Sequence, residues 1–190
     1  MSKEENIILP VIALGGILLI FSQSNNAPPP ATNIPGTALT PTNFILKYWN
    51  EAKSSQAATT IPALVTITQA GLESGWGAHA PQFNFFGIKD SSGWTGATQI
   101  LPTTEYVNGV LTHTTAKFRA YPSAHAGFVD HGRFFIDNSR YKTALQYVDD
   151  PGEFIRQIAL AGYATDPQYA NKLINAANVV IQVLQSHKLI

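Results

Sequence analysis

The chain has 190 residues, room for one domain with a sizeable core and an appendage. Twelve Lys and Arg balance twelve Asp and Glu, so no net field or basic stripe steers the molecule toward nucleic acid. Charged residues make up 13%, below the roughly 25% usual in soluble domains, and the absence of cysteine excludes disulfides and thiol chemistry.

After a short polar N-terminus (residues 1–6), Ile7 to Phe21, "IILPVIALGGILLIF", is a continuous apolar run. It falls short of a hydrocarbon core of roughly 30 Å unless Asn6 and Ser22 extend it, and a signal peptide can be this short. Glu4 and Glu5 offset Lys3 ahead of the run, and "SQSNNAPPP" offers no small-x-small cleavage site. We therefore expect an uncleaved single-pass anchor at 7–21, with a lipid bilayer as its partner and the remaining chain on the extracytoplasmic side. Residues 22–39 lack charge and are rich in Pro, Asn and Ser, the composition of an extended, semi-rigid linker.

The domain, residues 40–190, opens with a helix signal. Thr40 is a candidate N-cap, Pro41 suits the first helical position, and Ile45, Tyr48, Trp49 and Ala52 follow at helical spacing. A second helix is predicted over about Pro62 to Ser74, with Ile61, Leu64, Val65 and Leu72 on one side and Gly75 and Gly77 stopping it. "TQILPTTEYV" and "VLTHTTAKFRAY" are β-branched and aromatic, and Asn108-Gly109 between them predicts a hairpin. Asp150-Pro151 and Asp166-Pro167 each read as an N-cap followed by proline, with Gly162 ending the helix between them. The last helix carries Ala170, Leu173, Ile174, Ala177, Ile181 and Leu184 on one face. The expected class is α+β: a mostly helical lobe with a small β-hairpin lobe. No pair among His79, His113, His125, His131 and His187 has HxxxH spacing, so neither a metal nor another cofactor is expected.

Two carboxylates stand out. Glu73 lies in the last turn of its helix, where unpaired carbonyls disfavour negative charge, and Trp76 and Leu72 can remove it from water. Both effects favour the neutral acid that general-acid catalysis needs; the alternative is an idle helix-terminal glutamate. Glu105 precedes the hairpin turn, sharing a strand face with Thr103 and Val107. A hairpin folded over the helical lobe would set Glu105 across a groove from Glu73, the paired-carboxylate chemistry of glycoside hydrolysis. Its alternative is a solvated charge paired with Lys117 or Arg119.

"QAGLESGWG" (69–77), "NFFGIK" (84–89), "TTEY" (103–106), "KFRAYPS" (117–123) and "AGYATDPQYANKL" (161–173) occur in that order. Together they resemble the glucosaminidase-type peptidoglycan hydrolases of glycoside hydrolase family 73, including the domain attached to flagellar rod assembly proteins. The resemblance covers roughly Thr40 to Ser186. It implies a lysozyme-like fold, peptidoglycan glycan strands as substrate, and cleavage of the β-1,4 bond between N-acetylglucosamine and N-acetylmuramic acid. It also implies Glu73 as the general acid, Glu105 as the second, hairpin-borne carboxylate, and Tyr163 as an aromatic in the catalytic groove. Trp76, Asn84, Phe86 and Tyr169 are the implied substrate-binding residues, with core packing the alternative for Phe86 and Tyr169. Asp166 reads as a helix cap rather than a catalyst. Phe85 stands where the family more often has leucine.

A muramidase or lytic transglycosylase on the same fold, and a catalytically idle wall-binding protein, remain alternatives. No cell-wall-binding repeat is evident, and the membrane segment can replace one by holding the enzyme near its polymer. Such an enzyme suits a bacterial envelope or a bacteriophage particle that contains a membrane, and the minimal chain leans toward the phage.

Overall fold

Thr40 starts the first helix, α1 (Pro41–Thr59), by accepting the Asn43 amide at 3.2 Å, with Pro41 in the first turn as the sequence predicts. This computed structural model describes residues 39–107 and 110–190; the side chains of 105–107, 110 and 111 lie outside that description. The expected anchor at 7–21, the linker up to residue 38 and the Asn108-Gly109 turn also lie outside the described residues. Among the described residues no helix is long and apolar enough to cross a membrane.

The second helix, α2 (Ala63–Ser74), departs from the one-sided pattern read in its sequence. It is buried nearly all round: Ala63, Val65, Ile67, Ala70 and Gly71 are covered, and so are Thr66, Thr68, Gln69 and Ser74. Leu64 and Leu72 are only half-buried. The reason is its position between two apolar clusters. On one side Ile67 and Ala70 meet Phe44, Tyr48, Phe85, Phe86 and Phe128. On the other, Val65 meets Phe135, Phe154, Ile158, Tyr163 and Leu173. A helix hydrophobic on one face alone cannot serve two cores, so short polar side chains fill the remaining contacts. Thr68 satisfies its hydroxyl by donating to the Leu64 carbonyl at 2.6 Å. Gly75, at φ +59°, ends the helix and donates its amide to the Gly71 carbonyl.

The chain then enters the hairpin, β1 (Thr98–Val107) and β2 (Val110–Arg119), paired antiparallel from Thr98 opposite Arg119 to Val107 opposite Val110. Its base is tied to the helical lobe. Arg119 donates its amide to the Ile88 carbonyl and Ala120 to the Ala97 carbonyl, both at 2.9 Å. Along the strands, Thr112 to Thr115 are exposed and Ile100 is 68% exposed.

Ser123 caps α3 (Ala124–Asp137) and Asp150 caps α4 (Pro151–Leu160), the latter accepting the Glu153 amide at 3.0 Å. The second Asp-Pro pair behaves differently from the first. The final helix, α5 (Tyr169–Ser186), begins three residues after Asp166, whose carboxylate accepts the Gln168 amide at 2.8 Å and pairs with Lys172. Asp166 thus closes the turn ahead of the helix, because Pro167 and Gln168 are spent on that turn. On α5 the buried seam runs Tyr169, Leu173, Ala177, Val180 and Leu184, with Ile181 half-buried at its edge. Among the described residues the architecture is a helical lobe with one two-stranded sheet.

Candidate active site

The end of α2 carries Glu73, half-buried, one residue before the helix stops. The stop is stitched down: Trp76 donates its amide to the Gly71 carbonyl at 2.7 Å, and Gly77 donates to the Ser74 hydroxyl at 2.8 Å. Trp76 takes a left-handed backbone, φ +57°, and its ring lies so close over Gly71 that a Cβ there would meet it at 2.4 Å. Gly71 in "QAGLESGWG" therefore makes room for the indole.

Tyr169, at the start of α5, donates its hydroxyl hydrogen to Glu73 Oε1 at 3.1 Å. Gln69, one turn before Glu73 on α2, donates Nε2–H to the same tyrosine oxygen at 2.8 Å. A phenol has one proton, so a donor arriving from Gln69 leaves that proton for Glu73. The three side chains form a directed chain from a buried amide to the carboxyl group. Burial pushes the Glu73 pKa up to about 7, against the opposing pull of the Tyr169 hydrogen bond. Near neutrality the group is split between acid and carboxylate, the condition for a general acid.

Tyr163 stands behind this chain. Its ring stacks on Tyr169 with centroids 5.5 Å apart, and its hydroxyl lies 3.1 Å from His131 Nε2. His131 is fully buried, stacks flat on Phe86 at 3.6 Å, and is held well below its usual pKa, at about 3, by loss of water. It is a neutral member of the core.

These placements correct several expectations. Tyr163 is fully buried rather than groove-lining, and it reaches Glu73 through Tyr169. Phe86 is fully buried with His131 against its face, so no sugar ring can pack there. Tyr169 presents its hydroxyl, not its face, because Tyr163 covers the ring. Asn84 is also enclosed. Its Nδ2 donates to the Ile88 and Arg119 carbonyls and its Oδ1 accepts the Ile88 amide, each at 2.9 Å. It fastens the hairpin base to the helical lobe and has no group left for substrate. Trp76 is half-buried, with its ring over Gly71 and edge-on to Phe44 at 5.8 Å, on the side of α2 away from Tyr169.

Glu105 lies on β1 opposite Thr112, near the far end of the hairpin. Its alternative partner Arg119 is removed by geometry: Arg119 sits at the other end of the register, opposite Thr98, and forks both oxygens of Asp130 at 2.8 and 3.0 Å. Gln69 and His131 were not singled out from sequence. Gln69 sits four residues before Glu73, and a glutamine on the same helical face as a candidate acid is the signal that could have found it. His131 offered none, since its partners come from distant segments.

The family model for glucosaminidase, described as mannosyl-glycoprotein endo-beta-N-acetylglucosaminidase, matches residues 49–181. The chain belongs to this glucosaminidase family. It is 37% identical over 141 residues to the peptidoglycan hydrolase FlgJ of Pseudomonas aeruginosa, covering 70% of this chain and 35% of that protein. The chain thus spans about a third of that relative's length. Among solved structures, the glycoside hydrolase domain of Salmonella typhimurium FlgJ superposes with a TM-score of 0.67 at 28% identity, covering 80% of this chain and 93% of that one. A peptidoglycan hydrolase mutant from Sphingomonas sp. A1 superposes at 0.64 with 32% identity, covering 77% and 99%. The mostly helical lobe with its two-stranded sheet is the lysozyme-like glycoside hydrolase fold of these neighbours.

Proposed function

We propose that this chain cleaves the β-1,4 bond between N-acetylglucosamine and N-acetylmuramic acid in peptidoglycan, with Glu73 protonating the leaving oxygen. The observation that carries this reading is the half-buried Glu73 carboxyl, lifted to about 7 and held by the Tyr169 hydroxyl. Membership of the glucosaminidase family and the likeness to peptidoglycan hydrolases support the substrate class.

In this mechanism the neutral Glu73 gives its proton to the bridging oxygen as the bond to the anomeric carbon breaks. The resulting carboxylate is stabilised by the Tyr169 hydrogen bond, which Gln69 keeps aimed at it and Tyr163 supports from behind. Positive charge develops on the sugar ring. Glu105 takes the proton from the water that attacks the anomeric carbon.

The test is mass spectrometry of purified peptidoglycan, reduced with borohydride after digestion, with Glu73→Gln in parallel. Reduced N-acetylglucosamine ends that vanish in the variant are the expected result. Reduced or anhydro muramic ends would transfer the activity to a muramidase or lytic transglycosylase. No new ends from the wild type would leave a wall-binding protein.

The apolar run Ile7–Phe21 supports anchoring of the domain on the extracytoplasmic side of a bacterial membrane or on the membrane of a phage particle. The full chain should sediment with lipid vesicles through an alkaline carbonate wash, and removal of residues 7–21 should release it.

A further inference from the structure

A concavity lies where the hairpin base meets α3, and none of Glu73, Tyr163 and Tyr169 lines it. Its volume is about 580 Å³, with Trp94, Tyr121 and Pro122 on its walls together with Ala126, Val129 and Arg133 from α3. That is within the roughly 300–1,000 Å³ of ordinary small-ligand sites.

The walls are held in place by specific contacts. The Arg119 guanidinium covers one face of Trp94 at 4.6 Å and forks onto Asp130, and the Tyr121 hydroxyl donates to the same Asp130 carboxylate at 2.6 Å. The indole Nε1–H donates to the Ala97 carbonyl at 3.0 Å. Two glycines permit the close fit: a Cβ on Gly96 would meet the Trp94 ring at 2.3 Å, and one on Gly127 would meet the Phe83 carbonyl at 2.6 Å. Gln82, also on the wall, adopts φ +50°, a backbone conformation that a non-glycine residue rarely takes.

Two features define what fits. Trp94 is half-buried, with one face under Arg119 and its six-membered ring against Gly96, and Tyr121 is buried, so the aromatic walls are fixed in place. The charge is also one-sided. Asp130 is neutralised by Arg119, whereas Arg133 is exposed, lines the pocket and makes no ion pair among the described residues. His125, Val129 and Arg133 follow one another at four-residue spacing, so they share one face of α3. A slot with small apolar walls and a free guanidinium suits a short aliphatic chain that ends in a carboxylate.

We propose that this pocket binds the carboxylate-bearing peptide stem of the peptidoglycan strand, with Arg133 holding the carboxylate and the Trp94–Tyr121 wall packing on the aliphatic part. This rests on the peptidoglycan reading above and adds a peptide subsite to it.

The test compares the full chain and its Arg133→Gln variant on peptide-bearing glycan strands and on strands stripped of their stems by an amidase. The variant should lose about tenfold in kcat/KM on the peptide-bearing strands, the scale of a lost hydrogen bond to a charged group, and less than about twofold on the stripped ones. Equal loss on both substrates, or none on either, would overturn the proposal. A second measurement does not depend on turnover: titration of the free stem tetrapeptide, followed at the Trp94 indole N–H by NMR. Saturable shifts that weaken in Arg133→Gln support the site, and their absence overturns it. A wild type inactive on both substrates would sink the proposed function, and the titration would then decide the pocket alone.

Discussion

The helical lobe around α2 and the β1–β2 hairpin bury their residues to opposite degrees, and one of the two assigned carboxylates falls in each. Gln69, which sets the proton of the Tyr169 hydroxyl, is buried on the helix between two apolar clusters, Tyr163 and Tyr169 belong to one of them, and Glu73 takes its environment from that packing. Glu105 stands on β1, which among the described residues pairs with β2, in a hairpin fastened to the lobe at its base. An acid that must stay neutral near pH 7 needs a dry, rigid setting, which only the packed lobe supplies. A carboxylate that must stay charged to receive a proton is better placed where water reaches it. The packed lobe supplies the setting that the role assigned to Glu73 requires.

The contrast between the two regions is greatest at Glu73 itself. Glu73→Gln should lower turnover on peptidoglycan by about 10³-fold, within the range for loss of a general acid. Glu105→Gln should cost less, about 10²-fold, if its charge assists water; retention of full activity there would assign the second role to the substrate's own N-acetyl group.

Packing offers the next contrast. Phe135→Ala, in the fully buried cluster, should destabilise by about 3–5 kcal/mol in denaturant unfolding, whereas Ile100→Ala on the exposed hairpin should stay within about 0.5 kcal/mol.

Glu73 also carries a stability signature with a definite sign. Its pKa is raised on folding, from an ordinary 4.5 to about 7, so the folded state holds the proton more tightly than the unfolded chain. The resulting stability is fully present below pH 4.5 and is lost as pH rises through 7. Glu73→Gln removes the penalty of a buried charge, so at pH 8 the variant should be more stable than the wild type, by on the order of 1–3 kcal/mol. The difference should close below pH 4.5. An inactive variant that is also less stable at pH 8 would contradict the burial argument.

The smallest expected effect sharpens the role of Tyr169. Its hydroxyl favours the ionised carboxyl, so Tyr169→Phe should move the alkaline limb of the kcat/KM profile to higher pH, by about 0.5–1 pH unit. Gln69→Leu should move it the same way, since the tyrosine proton is then free to turn elsewhere.

Much of the architecture was readable because it rests on local chemistry. Thr40-Pro41, Asp150-Pro151 and Gly75 marked helix ends through their own caps and dihedrals, and the alternating β-branched runs marked both strands. The expected position of Glu73 at the end of a helix holds for the same reason. What the sequence obscured depends on partners far along the chain. Tyr163 and Phe86 share aromatic character with groove residues, and nothing local says that Tyr169 and His131 cover their faces. Asn84 looks like a polar contact for substrate until the backbone of residues 88 and 119 takes up its amide. Asp166-Pro167 repeats the Asp150-Pro151 pattern, but an extra turn separates it from its helix. The α2 pattern misled because a helix between two cores has no single apolar face.

The most direct measurement is the titration of the Glu73 carboxyl by NMR in protein labelled with ¹³C at the glutamate side chains, assigned by comparison with Glu73→Gln. A midpoint near 7, moving upward in Tyr169→Phe, is the expected result. A midpoint near 4.5 would mean that Glu73 is an ordinary solvated carboxylate, and the assignment of the catalytic acid to the end of α2 would fall with it.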